Sequence, residues 1–175
     1  MGDLLYNMTE WLRTTQLVEL ALWISETPLN LWIVTNFWAI PVLQVIHILS
    51  IAGAFGAILM INLRIFGAGG GHLTMLDLSK RYVPWVWWSL LMLAISGSFM
   101  IIGEPIRELI NPIFWIKMVL LVVAILFSLW FHNGVIKRAE ANGSVSSAAR
   151  GGAIFVIILW CAIIFCGRWI AYAPV

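Results

Sequence analysis

The sequence predicts an all-α fold: a four-helix transmembrane bundle preceded by an amphipathic interfacial helix. Three observations predict it. Of 175 residues, 62% are apolar and only 10% are charged, against roughly a quarter charged in a soluble domain. Four long apolar segments recur, each near the length of about 20 residues that crosses a bilayer as a helix. The residues ahead of them carry charges at intervals instead. The same composition excludes a disordered tail and a nucleic-acid binder, both of which need many charges. A net charge of +2 names no partner.

Residues 1–35 are read as an N-terminal periplasmic segment. Asp3, Glu10, Arg13, Glu19 and Glu26 interrupt its apolar residues. Met8, Trp11, Leu12, Thr15, Val18 and Leu22 recur at three- and four-residue steps, one face of a helix. The pattern predicts an amphipathic interfacial helix over 9–25, ended by Pro28, with Asn30 opening a link to the first span. The basic start and small-residue cleavage pattern of a signal peptide are not seen.

Residues 36–175 are read as the four-span bundle, with spans at about 37–63, 84–103, 112–131 and 151–167. A spanning segment must satisfy its own backbone, which favours helices. A β-barrel would show many short alternating strands instead. The loops 64–83 and 136–150 fall on one side and are net positive, through Arg64, Lys80, Arg81, Lys137, Arg138 and Arg150. The segment before the first span and the loop with Glu104, Arg107 and Glu108 are net acidic. The positive-inside rule then predicts a multi-pass protein of the bacterial inner (plasma) membrane, with N- and C-termini periplasmic. Trp32, Trp38, Trp115 and Trp169 near the outer ends, and Trp85, Trp87, Trp88 and Trp130 near the inner ends, form an aromatic belt. Trp160, mid-span, either packs inside or faces lipid.

Ala52, Gly53, Gly56 and Ala57 give overlapping small-residue pairs, which suit a close helix contact within the bundle or in a homo-oligomer. Gly97, between Ser96 and Ser98, does a similar job in the second span. Cys161 and Cys166, five positions apart on one helix, are poorly placed for a disulfide.

Ionisable residues inside spans are functional candidates by default. His47 and Lys117 stand at similar depth from the outer side. An imidazole there can hold haem iron through one ring nitrogen, making His47 the candidate metal ligand. It can equally bond Gln44 or a neighbouring carbonyl, or handle protons. His132, at the inner end of the third span, is a candidate ligand for a second cofactor or lies against headgroups. Arg168, at the outer end of the fourth span, either snorkels or meets a haem propionate or quinone headgroup. Arg64 is read as snorkelling. His72 falls in the Gly69-Gly70-Gly71 loop and is read as solvated. Three histidines are too few for a bis-histidine double-haem arrangement. No HExxH, paired-cysteine or phosphate-loop motif is present.

The stretch His47-Ile48-Leu49-Ser50, Gly53, Leu59 and Leu63-Arg64-Ile65-Phe66 resembles the first span of a bacterial superfamily. That superfamily contains the protoporphyrinogen oxidase HemJ and the copper-resistance membrane protein CopD. Phe114-Trp115-Ile116-Lys117 followed by Trp130-Phe131-His132 resembles a later span. Tyr82-Val83-Pro84-Trp85 and Gly167-Arg168-Trp169-Ile170-Ala171 resemble a small group of four-span proteins within it. The resemblance covers about residues 40–172. It implies haem b as cofactor, with His47 and Lys117 as the haem-linked residues. The exit Asn62-Leu63-Arg64 stands where HemJ-like proteins have Leu-Pro-Arg, and His72 is displaced from their loop histidine.

Three functions follow as expectations. The first is an integral membrane haem-b-binding protein in electron transfer or redox chemistry with a quinone or partner dehydrogenase, with His47, Lys117, Arg168 and His132 as cofactor-binding candidates. The second is a non-catalytic structural or accessory subunit of a larger membrane complex. The third is a copper-handling or small-solute transporter.

Overall fold

A computed structural model describes residues 2–68, 74–142 and 146–172. Among the described residues the chain is helical throughout its regular structure, with no strand. Its elements are α1 (Gly2–Arg13), α2 (Leu17–Ser25), α3 (Pro28–Thr35), α4 (Ala39–Ile65), α5 (Met75–Gly103), α6 (Pro105–Leu109), α7 (Pro112–Asn142), α8 (Ser147–Trp169) and a closing 3-10 turn (Ile170–Tyr172). The four-helix bundle predicted from the sequence is present: α4, α5, α7 and α8 each contain a stretch long and apolar enough to cross a membrane.

The helix predicted over 9–25 is corrected to two. α1 stops at Arg13 because Thr14 and Thr15 turn their hydroxyls back onto the carbonyls of Trp11 and Leu12, at 2.7 and 2.6 Å. Such side-chain bonds compete with the helix ladder. Pro28 does not end that helix but starts the next. It sits in the first turn of α3 behind the N-cap Thr27, whose hydroxyl accepts from the Asn30 amide at 3.3 Å. Asn30 is therefore part of α3, not a link. α2 and α3 meet at 66° and together are apolar enough to count as one broken span.

The long helices also reach beyond the predicted spans. α5 begins nine residues before Pro84, because Thr74 and Asp77 cap it reciprocally: the Thr74 hydroxyl accepts from the Asp77 amide and donates to its carboxylate. α7 runs to Asn142, past the apolar stretch. α4 ends in a Schellman motif. Gly67 takes φ +83°, and the amides of Gly67 and Ala68 return to the carbonyls of Arg64 and Leu63.

The chain divides into two compact units. The first comprises Met1–Leu49, Met92–Val119 and Phe165–Val175. Here α2 packs on α6. The core gathers Ala21, Leu109, Ile113, Phe114 and Ile170. Asn30, buried, donates to the Ile102 carbonyl at 2.6 Å and so caps the end of α5. Gly103 there leaves no room for a side chain: a Cβ would lie 2.6 Å from Ile40 and 3.1 Å from Ile33. Asn111, fully buried, caps α7 by accepting from the Ile113 amide and donates to the Ile170 carbonyl.

The second unit comprises Ser50–Leu91 and Leu120–Ile164. α8 contributes Ala149, Ala153, Val156, Leu159, Trp160 and Ile163, a helical-period buried face. α4 contributes Ala54, Ala57, Ile58, Ile61 and Ile65. Trp160 packs inside, with its indole N–H 3.5 Å from the Ser128 hydroxyl. Gly53 faces Ser89 of α5 within the chain, whereas a Cβ at Gly56 would meet nothing within 4 Å. The Phe131 ring lies directly on Gly152, bringing α7 and α8 together.

Candidate functional site

The first unit gathers the polar side chains that its apolar helices would otherwise exclude. His47, on α4, does not turn to Gln44, which is exposed. Its Nδ1 lies 2.8 Å from the Ser96 hydroxyl oxygen on α5. That hydroxyl has one proton, and it donates to the Met92 carbonyl at 2.6 Å. A carbonyl can only accept, so Nδ1 carries the proton and donates to Ser96. A neutral imidazole has a single N–H, which leaves Nε2 with its lone pair free to accept a proton or bind a metal. Gly97 lets the ring lie against α5: a Cβ there would sit 3.4 Å from the ring carbon Cε1. Ser96 is buried and supports the ring from behind.

Lys117, on α7, falls in the same unit as His47. Its stem lies against Gly167 of α8, where a Cβ would be 3.8 Å away. Its Nζ lies over the Phe114 ring, 5.3 Å from the centroid, and as the ammonium makes a cation–π contact there. Glu108, on α6, acts on it through its charge. Among the described residues the ion pairs are Arg13–Glu10 and Arg107–Glu104, so Lys117 and Glu108 act on each other without direct contact.

Glu108 is the site residue that sequence reading missed. Burial pushes its carboxyl above the ordinary value, Lys117 and Arg107 pull it back, and Glu104 adds to the rise. Arg107 is bound 2.6 Å from Glu104 and also donates to the Ala171 carbonyl at 3.4 Å. The signal available in the sequence was Pro105, a helix starter that turns an apparent loop into α6.

Arg168 also lies in the first unit, exposed. It donates to the Tyr172 hydroxyl at 2.7 Å, with its guanidinium 5.1 Å from that ring. His132 falls in the second unit. Its ring is hydrogen-bonded to the Ser128 backbone, and its Nε2 is buried with no partner among the described residues. His72 lies outside the described residues. Among the described residues no three His, Cys, Asp or Glu side chains converge as a metal cage, and Cys161 and Cys166 are free thiols.

No curated protein and no solved structure matches the chain. A protein-family model does, over residues 12–173, which takes in His47, Lys117, Glu108, His132 and all four long helices. On that match the chain belongs to the family of unknown function DUF6644.

Proposed function

We propose that the chain is a membrane-embedded haem-b-binding protein in which His47 Nε2 would hold the iron. One observation carries the reading: the donation from Nδ1 to Ser96. A hydrogen-bonded Nδ1–H fixes the tautomer and the ring orientation, and it raises the basicity of the ligating nitrogen. The donor chemistry therefore fits haem iron. Lys117 supplies either a second nitrogen donor, as the amine, or a cation for a propionate, as the ammonium. Arg168 is braced by Tyr172 and presents its remaining donors outward. Haem, when bound, supplies one-electron chemistry. The chain's own groups orient the imidazole, balance charge through Lys117 and Glu108, and hold apolar helices around them.

The resemblance to HemJ- and CopD-like proteins supports this assignment, since its motifs include His47 and Lys117. The electron partner in this reading is a quinone or a membrane dehydrogenase. The charge bias of the loops supports a bacterial inner membrane with both termini periplasmic.

The test is the reduced-minus-oxidised visible spectrum of protein purified in mild detergent from haem-supplied cells. A Soret band that His47→Ala abolishes and Lys117→Ala shifts or weakens is the expected result. Colourless protein that gains no Soret band on reconstitution overturns the reading and leaves His47 as a hydrogen-bonded packing residue.

A further inference from the structure

The second unit contains a cavity of about 150 Å³. Its walls come from all four long helices: Ile58 and Ile61 of α4, Val83, Val86 and Trp87 of α5, Ser128 and His132 of α7, and Trp160 of α8. Three features restrict what can fill it.

The first is an orphaned acceptor. His132 is hydrogen-bonded to the backbone of Ser128, one turn earlier. The Ser128 amide N–H belongs to the helix ladder, so the ring N–H donates to the carbonyl. The other nitrogen, Nε2, is buried without a partner among the described residues and, in the neutral ring, is a bare acceptor. An unpaired buried acceptor is costly, so Nε2 calls for a donor.

The second feature is shape. A largely apolar cavity of about 150 Å³ holds one benzene-sized ring. Trp87 and Trp160 offer ring surfaces, and aliphatic side chains close the rest. The third is access. Trp87 and Leu129 line the cavity yet carry exposed surface, in segments apolar enough to lie in a bilayer. The larger hollow of about 590 Å³, between Phe127, Trp130, Arg138 and Gly152, is not lined by His132.

We propose that this cavity binds an aromatic ring bearing a hydroxyl donor, the headgroup chemistry of a lipid-soluble quinol, with the hydroxyl donating to His132 Nε2. The site deepens the redox reading by giving its lipid-soluble partner a place. It rests on that reading only for its biological meaning, because binding needs no haem.

The experiment uses the full chain in detergent micelles and ¹⁹F NMR with two probes of one shape class, 4-fluorophenol and 4-fluoroanisole. Only the phenol can donate. Saturable binding of the phenol, about three- to tenfold tighter than the anisole, is the expected result, the size of one neutral hydrogen bond. His132→Leu should equalise the two probes. Ile125→Trp, which fills the cavity from α7, should remove saturable binding of both. Equal affinities in the wild type, discrimination that survives His132→Leu, or signals no different from empty micelles each overturn the proposal. If His132→Leu does not fold, the wild-type comparison and Ile125→Trp still decide. A colourless protein that discriminates the probes separates failure of the haem reading from failure of this one.

Discussion

His47 Nδ1 lies 2.8 Å from Ser96 Oγ, and the serine proton is committed to Met92. The pair therefore sets a tautomer as well as a distance. Selective ¹⁵N labelling of histidine should show His47 in the Nδ1–H form in haem-free protein. Ser96→Ala should shift it toward the Nε2–H form that free imidazole prefers. A wild-type ring already protonated on Nε2 contradicts the assigned donor.

Glu108 gives a pH dependence of defined sign. Its carboxyl titrates above the ordinary 4.5, chiefly because it is half-buried. The folded protein therefore favours the neutral acid. That contribution is complete below the ordinary value and is lost as pH rises through the folded one. Glu108→Gln should remove this loss and raise the melting temperature at neutral pH by about 1–4 °C. A variant less stable than wild type at pH 7 would mean that the charge on Glu108 matters more to Lys117 than burial costs.

Two glycines should answer one methyl group differently. At Gly152 the Phe131 ring already occupies the position of a Cβ, and that ring is stacked on Phe127. Gly152→Ala should destabilise by about 1–3 kcal/mol through overpacking. Gly56→Ala meets nothing within 4 Å and should be neutral or mildly stabilising. Thermal melts of the two variants side by side check the pair, and equal effects would undo the packing argument.

Asn111 serves two helix ends at once. Asn111→Ala should cost about 1–3 kcal/mol, since it removes a cap and leaves the Ile170 carbonyl without its donor. Asn111→Ser keeps an acceptor for the Ile113 amide and loses the reach to Ile170, so it should recover part of the loss. No difference between the two substitutions would show that the cap contributes nothing.

Topology can be read by labelling in a Cys161→Ser, Cys166→Ser background. Ile106→Cys on α6 should react with a membrane-impermeant maleimide added outside, and Ser146→Cys should not. Both positions are exposed. The opposite pattern inverts the predicted orientation.

The apolar runs made the four long helices legible, and α4 differs from its predicted span by only two residues at either end. Their polar extensions were not legible from hydropathy. α5 starts at a Thr74–Asp77 cap in front of Pro84, and α7 outlasts its apolar stretch by eleven residues, to Asn142. The break in the N-terminal helix lay in Thr14 and Thr15, whose side-chain bonds decide against continuation only once the chain turns. His47 and Lys117 were found because ionisable groups stand out in apolar runs. Ser96 was not, since serine is common in such helices and its importance depends on a partner 49 residues away. Glu108 looked like a loop charge because α6 is a short helix that hydropathy does not mark.

The bond from Asn30 to Ile102 also sets an order of assembly during synthesis. The donor leaves the ribosome 72 residues ahead of its acceptor, an interval of roughly 4–14 s at about 5–20 residues per second. Through that interval the α3 elbow has no Gly103 surface to close on, and its amide must be satisfied by water or by the insertion machinery. Nascent chains arrested before the end of α5 should therefore expose this segment to protease, and chains long enough for Gly103 to clear the ribosome should protect it. The α2–α3 elbow is made well before α5 and settles only after it.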